Sequence, residues 1–205
     1  VSAITLEIEA AHLRAISAFT SVDKTRYVLQ GVLLEQVKRE IRLVATDGRR
    51  LVAVRPRACY CGSVDDLAVI VPAWLIDAIP QTARLVKLSY EPGARIEIAI
   101  SDLIISAPPI DANFPNWRQV VPNDDSLLCD TRELSARLED FAVFSAMLKA
   151  MGEETKARVR TSGPAGVIMV HAVTGAGEVI GLTMNLNLTT SPSLAWARDG
   201  KAVAS

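Results

Sequence analysis

Apolar residues recur along this chain in two rhythms. Ile4, Leu6 and Ile8 alternate with polar neighbours, the period of a half-buried strand. Leu13, Ile16 and Phe19 then follow at helical spacing and predict a helix over Ala10–Phe19. A second helix is expected over Pro72–Ile79, opening on a proline that suits a first turn and carrying Trp74, Leu75, Ala78 and Ile79. A third is expected to begin near Thr131, with Asp130 or Thr131 as its cap. It runs through Leu134, Leu138, Phe141 and Ser145 towards Met151 and Gly152. The three starts lie about 60 residues apart, the kind of period that marks an internal repeat.

Each helix is followed by three strand-like stretches. The first set is Tyr27–Glu35, Glu40–Thr46 and Arg49–Arg55, with Asp47-Gly48 as the expected two-residue turn because glycine tolerates positive φ. The second is Leu85–Tyr90, Ala94–Ile100 and Leu103–Ala107, punctuated by Glu91-Pro92-Gly93 and Ser101-Asp102. The third is Ala157–Thr161, Val167–Val173 and Glu178–Asn185, separated by glycine-rich stretches. The repeating unit is therefore strand, helix and three-stranded meander, an α+β arrangement. Two such units bury their apolar faces by joining sheets over the paired helices. Units one and two are expected to form a complete domain over 1–122. Unit three, over 123–190, has no full partner in the chain, and 191–205 lacks a strand rhythm and reads as a tail.

Composition narrows the function. Half of the residues are hydrophobic, and 22 basic against 23 acidic residues leave a net charge of −1, so no global basic signature for nucleic acid exists. No apolar run is long enough to cross a bilayer, and the alternating N-terminal stretch is unlike a signal peptide, so a cytoplasmic protein without membrane partners is expected. Cys59, Cys61 and Cys129 make no zinc-ligand pattern, His12 and His171 stand apart from any cysteine or acidic cluster, and no metal or other cofactor is expected. Phosphate-binding, nucleophile-elbow, dinucleotide and metalloprotease motifs are all missing. The acidic pairs Asp65-Asp66, Asp124-Asp125 and Glu153-Glu154 fall in expected loops, so the sequence presents no catalytic constellation.

Two separated segments carry the most information. One runs from Arg26 to Gly31 and on to Thr46-Asp47-Gly48-Arg49-Arg50-Leu51, and the other from Asn113 through Phe114, Pro115, Trp117 and Arg118 to Pro122. In this order they resemble the middle domain of the bacterial DNA polymerase III beta subunit, the sliding clamp. That family carries a similar string around an Ala-Thr-Asp-Gly turn and ends it in Phe-Pro-x-Tyr/Trp-Arg. Position 49 is Arg where the family often has His. The resemblance is closest over 1–122 and continues more weakly into what looks like the first half of the last clamp domain. It implies a clamp fold whose helices line a hole and whose sheets form the outer wall.

The resemblance also implies a groove that captures the tails of polymerases and repair proteins. The matching positions are Arg26, Leu29, Thr46, Gly48, Arg50, Leu51, Pro115 and Val120. Their chemistry suits the role. Leu29, Leu51 and Val120 offer an apolar slot, Pro115 a stiff wall, Gly48 room for a close backbone approach, and Arg26 and Arg50 hydrogen bonds at the border. The family completes this groove with residues from the very end of its last domain, which find no match here. Arg14, Arg132, Arg137 and Lys149, in or near the first and third helices, are the expected contacts to double-stranded DNA phosphates, whereas the second helix carries no Lys or Arg.

The function so implied is that of a clamp-like replication accessory protein, a processivity or docking scaffold that performs no chemistry. The alternative is a degenerate homologue that binds proteins, as a regulator or decoy, without encircling DNA. Unit three is expected to leave a sheet edge unpaired, which argues for a homo-oligomer.

Overall fold

The computed structural model describes residues 4–37, 40–57, 67–123, 136–152, 157–162 and 166–184. Strand β1 (Ile4–Glu9) leads into helix α1 (Ala10–Ser17), and β2 (Gly31–Val37), β3 (Glu40–Thr46) and β4 (Arg50–Pro56) make the first meander. Strand β5 (Leu67–Pro72) and helix α2 (Ala73–Asp77) precede β6 (Leu85–Tyr90), β7 (Ile96–Ile100) and β8 (Leu103–Ala107). Helix α3 (Leu138–Ala150) is followed by β9 (Arg158–Thr161), β10 (Val167–Val173) and β11 (Gly177–Met184).

The first two units exchange their leading strands. β1 pairs antiparallel with β6, from Ile4 opposite Tyr90 to Glu9 opposite Leu85, so it completes the four-stranded sheet β1-β6-β7-β8. β5 in turn pairs with β2, from Gly31 opposite Pro72 to Gln36 opposite Leu67. Each meander thereby gains a fourth strand from its neighbour, but the sheets of units one and two stay separate instead of joining, and α1 and α2 lie side by side against strands of both. Alternation drives this. Ile4, Leu6 and Ile8 are buried beside Leu13, Ile16, Val86, Leu88, Ile96 and Ile98 in one core, while the intervening side chains face outwards.

The third unit extends the first. β11 pairs with β4 in antiparallel register, with Leu182 opposite Leu51 and Gly181 opposite Val52. The larger sheet then has seven strands in the order β5-β2-β3-β4-β11-β10-β9. One edge of unit three is thus taken up within the chain, and β9 forms the far edge, with Val159 partly exposed on it. Helix α3 packs beside α1, bringing the Phe144 ring to 5.1 Å from that of Phe19. Gly181 faces that ring so closely that an added Cβ would lie 2.3 Å from it, which is why β11 carries glycine there.

β2 to β4 are buried on both faces. The helices cover one face through Val32, Leu34, Leu43, Val52 and Val54. The other face, through Leu33, Val44, Leu51, Ala53 and Ile70, is covered by Ile110, Phe114, Trp117 and Val121 from the segment that follows β8. The second sequence motif therefore lies on the outer side of the sheet that carries the first.

Several elements differ from their sequence expectation. Residues 27–29 do not begin a strand but belong to a 3-10 helix, Lys24–Leu29, because the Asp23 carboxylate accepts the Thr25 amide at 2.9 Å and starts a helical turn. The third helix does not run continuously from Thr131. Arg137 is extended and serves as the N-cap, with Glu139 and Asp140 in the first turn favouring a start there. Asp130, Thr131 and Leu134 lie outside the described residues. The Asp47-Gly48 turn is a longer loop, since Thr46 and Leu51 form the last strand pair. α2 is a helix of five residues that stops before Pro80.

Candidate functional site: a groove at the junction of β4 and β11

The loop between β3 and β4 is held by its own side chains. Gly48 sits at φ +88°, a left-handed conformation in which glycine is unstrained. The Asp47 carboxylate accepts the Arg49 amide at 2.8 Å and the Arg50 amide at 2.7 Å, and its second oxygen accepts Arg50 Nε and Nη2 at 3.0 and 2.8 Å. Thr46 Oγ1 donates to the Arg50 carbonyl at 2.6 Å and accepts the Gly48 amide at 3.0 Å, so this hydroxyl staples the loop. Arg26 closes it from outside, donating to the Asp47 carbonyl at 3.4 Å and filling the space in front of Gly48.

A buried acid ties this loop to the third unit. Asp140, in the first turn of α3, accepts Arg49 Nη2 at 2.9 Å and lies 3.7 Å from Arg50 Nε. Its other oxygen accepts the Thr183 hydroxyl of β11 at 2.7 Å. The Arg50 guanidinium also stacks over Phe19 at 5.6 Å. Phe19 just beyond α1, helix α3, the loop and β11 therefore meet at one cluster.

Next to that cluster is a hollow of about 200 Å³. Seven of the eight residues expected in a groove line it together: Leu29, Thr46, Gly48, Arg50, Leu51, Pro115 and Val120. Arg26 is the exception and contributes through its contact with the loop. The remaining wall comes from residues that sequence reasoning did not assign, namely Arg49, Asn116, Trp117, Val167, Leu182, Thr183 and Met184. The last four belong to β10 and β11. The strand period placed Leu182 and Met184 on one strand at alternate positions, but only the β4–β11 pairing sets Leu182 opposite Leu51. The volume is below the roughly 300–1,000 Å³ of sites that enclose a drug-sized ligand, so it suits one or two anchoring side chains of a longer segment.

The motif arginine, Arg118, fixes the wall. Trp117–Val120 forms a 3-10 turn, and Arg118 Nη2 donates to the buried Glu35 carboxylate of β2 at 2.6 Å while its guanidinium covers the Trp117 ring at 4.6 Å. Arg42 is a second, more distant partner of Glu35 at 3.8 Å. Further along the sheet, Arg55 bridges Glu40 and Glu178 across the β4–β11 junction, and His171 is 2.9 Å from Glu178.

Partial burial alone acts to raise the Asp47 pKa, but the amides of Arg50 and Arg49 and the Arg50 guanidinium outweigh it and hold the group below its ordinary value. A carboxylate depressed in the folded state contributes stability that is present above its unfolded pKa and lost as pH falls through the folded value. The loop is therefore expected to lose support below roughly pH 4. Acid unfolding followed by circular dichroism should show a steeper fall in stability for the native chain than for Asp47→Asn in that window.

The expected DNA contacts are spread over the helices. Arg14 of α1 donates to the Pro80 carbonyl at 3.4 Å, joining α1 to the segment that follows α2. Arg137 and Lys149 are exposed at opposite ends of α3, about 18 Å apart by helical rise. Arg132 lies outside the described residues, as do Cys59, Cys61, Cys129 and the three acidic pairs. Among the described residues, no group of three or more His, Cys, Asp or Glu is placed to hold a metal ion, and no helix is long and apolar enough to cross a membrane.

Strand-exchanged units whose paired helices pack against antiparallel sheets define the class: this is the sliding-clamp fold. The beta clamp of H. pylori matches with a TM-score of 0.71 at 14% identity, covering 92% of this chain and 67% of that one. The Bacillus subtilis clamp matches at 0.69 and 14%, covering 90% and 64%. Residues 8–116 match the family model of the DNA polymerase III beta subunit, central domain, and the chain belongs to that family. The beta sliding clamp of Synechococcus elongatus is 27% identical over 141 residues, 65% of this chain and 37% of that protein. The clamp of Proteus mirabilis is 33% identical over 107 residues, 48% and 28% respectively. The aligned stretches thus span about a third of these relatives' lengths.

Proposed function

We propose that this chain acts as part of a DNA sliding clamp, a non-catalytic replication accessory protein that docks polymerases and repair proteins on double-stranded DNA. In this reading, 1–122 is a complete clamp-type domain, 123–190 a half-domain and 191–205 a tail. A homo-oligomer supplies what closes the ring. The observation that carries the proposal is the hollow at the β4–β11 junction, where Leu29, Leu51, Pro115 and Val120 from the central domain meet Leu182 and Met184 from the third unit. Burying one Leu and one Phe of a partner there is worth roughly 3–6 kcal/mol before association costs, consistent with micromolar capture of a short peptide at best. Arg14, Arg132, Arg137 and Lys149 are the proposed phosphate contacts.

The groove is tested with residues that line it but do not hold the fold. Val120 and Met184 are 48% and 51% exposed. Val120→Glu and Met184→Glu should each weaken binding of a fluorescent peptide with Leu and Phe anchors at least tenfold, with the thermal midpoint nearly unchanged. Undiminished binding by both variants would remove the hollow from consideration. The DNA role is tested by retention on circular against linear duplex, where loss from the linear form alone is the result expected of a ring.

A further inference from the structure

Strand β5 is an edge of the seven-stranded sheet, with β2 as its ladder partner. Its register tells which groups it turns outwards. In an antiparallel pair, residues at alternate positions direct both N–H and C=O towards the partner, and those between direct both away. The Ile70 carbonyl accepts the Ile110 amide at 3.0 Å, so Ile70, opposite Leu33, belongs to the outward set. Ala68 and Pro72 share that parity. Pro72 has no N–H to offer, which a position turned away from the ladder tolerates. Among the described residues, the Ile110 bond is the one backbone bond made to that edge. The N–H and C=O of Ala68 and the N–H of Ile70 are left without a main-chain partner.

The edge borders a second hollow, of about 740 Å³, which shares the wall of residues 115–117 with the groove. Leu33, Ile70, Ile110, Phe114 and Trp117 give it an apolar lining. Ala68 is exposed beside it, while Val69 and Ile70 are buried and hold the strand in place. Sheets ordinarily blunt such an edge with lysines, internal prolines or a covering element. β5 is uncharged from Leu67 to Pro72, its proline stands at the end, and Ile110 covers it at one point. The charges around the hollow balance, Glu35 and Asp111 against Arg95 and Arg118, and Glu35 is already held by Arg118 at 2.6 Å. The hollow therefore selects neither sign. What complements unpaired main chain beside a neutral apolar hollow is another extended main chain with an uncharged side chain.

We propose that the outer edge of β5 is a docking site for an extended, uncharged segment of a partner protein, which adds a strand beside Ala68 and seats one large apolar side chain in the hollow. A partner residue opposite Ala68 exchanges both main-chain bonds with it, and its side chain falls on the same sheet face as Leu33 and Ile70. The single methyl group of Ala68 leaves that side chain room to lean towards the apolar lining. The site stands independently of the groove and gives the chain a second docking point.

The test uses fluorescence anisotropy with the full chain and a hexapeptide, Ser-Thr-Phe-Thr-Val-Ser, acetylated, amidated and labelled with a neutral dye. A second peptide is methylated at the Phe nitrogen, which removes the donor that faces Ala68 and keeps the side chain. The native chain should bind the first roughly tenfold more tightly than the second. Added salt should leave both affinities unchanged. Ala68→Pro should weaken the first peptide to the level of the second with the thermal midpoint nearly unchanged, because the N–H it removes faces away from β2. Val120→Glu and Met184→Glu should have no effect, which separates this site from the groove. Equal binding of the two peptides by the native chain overturns the proposal, and that comparison holds even where Ala68→Pro does not fold. Binding that the groove variants abolish overturns it by assigning the peptide to the groove. Absence of binding overturns it as well. So does self-association in light scattering that Ala68→Pro removes, because the edge then belongs to a second copy of the chain.

Discussion

Replacing Asp140 with Ala is expected to cost about 3 kcal/mol of stability and lower the melting temperature by roughly 10 °C. The carboxylate is the common acceptor for Arg49, Arg50 and Thr183, and its side chain is only 2% exposed. Removing it leaves Arg50 beside an apolar core without one of its two acids, and leaves the Thr183 hydroxyl buried without an acceptor. The cost is at the lower end for a broken buried pair because Arg49 reaches solvent and Asp47 still holds Arg50. Arg49→Ala, by contrast, should cost less than about 1 kcal/mol, as half-exposed pairs do. Thermal or urea unfolding of the two variants decides the matter. Equal costs would show that the cluster does not depend on its buried member.

That cluster also shows where reading the sequence succeeds and where it stops. β3, β6, β8 and β10 have the bounds that a period of two predicts, because alternating apolar residues leave one way to bury a strand face. The groove's central-domain residues were legible through their resemblance to a known motif pair, and the structure brings seven of the eight to one hollow. Its other wall was not. Val167, Leu182 and Met184 stood in correctly placed strands, but strand period says nothing about which distant strand lies alongside, and the β4–β11 pairing joins residues more than a hundred positions apart. Asp140 was passed over for a related reason. An acid in the first turn of a helix is ordinarily a solvated capping charge, and only the tertiary arrangement turns this one inward towards two arginines. The start of β2 was missed because Asp23 offers the backbone a local helical turn that competes with extension.

Arg118 carries the second large effect, since it connects the motif after β8 to the sheet beneath. Its partner Glu35 sits on β2 with 8% of its side chain exposed and accepts Arg118 Nη2 at 2.6 Å, while Arg42 stands off at 3.8 Å. Arg118→Met keeps a long apolar stem over Trp117 but leaves Glu35 with the weaker partner alone. The expected cost is roughly 2–3 kcal/mol, driven by the carboxylate that remains rather than by the guanidinium that is lost. Glu35→Gln should cost less, because an amide is cheaper to leave partly unpaired than a charge. If the pair acts as a unit, the double variant should be no worse than Arg118→Met, giving a coupling energy of about 1–2 kcal/mol in a double-mutant cycle measured by urea unfolding. The consequence reaches the groove, because Arg118 anchors the turn that places Trp117 and Val120 in its wall. Arg118→Met should therefore also weaken capture of the Leu–Phe peptide by several-fold, and the double variant should recover stability ahead of binding. Additive costs in the cycle would mean that Arg118 holds the turn through its stacking on Trp117 at 4.6 Å and that Glu35 contributes little.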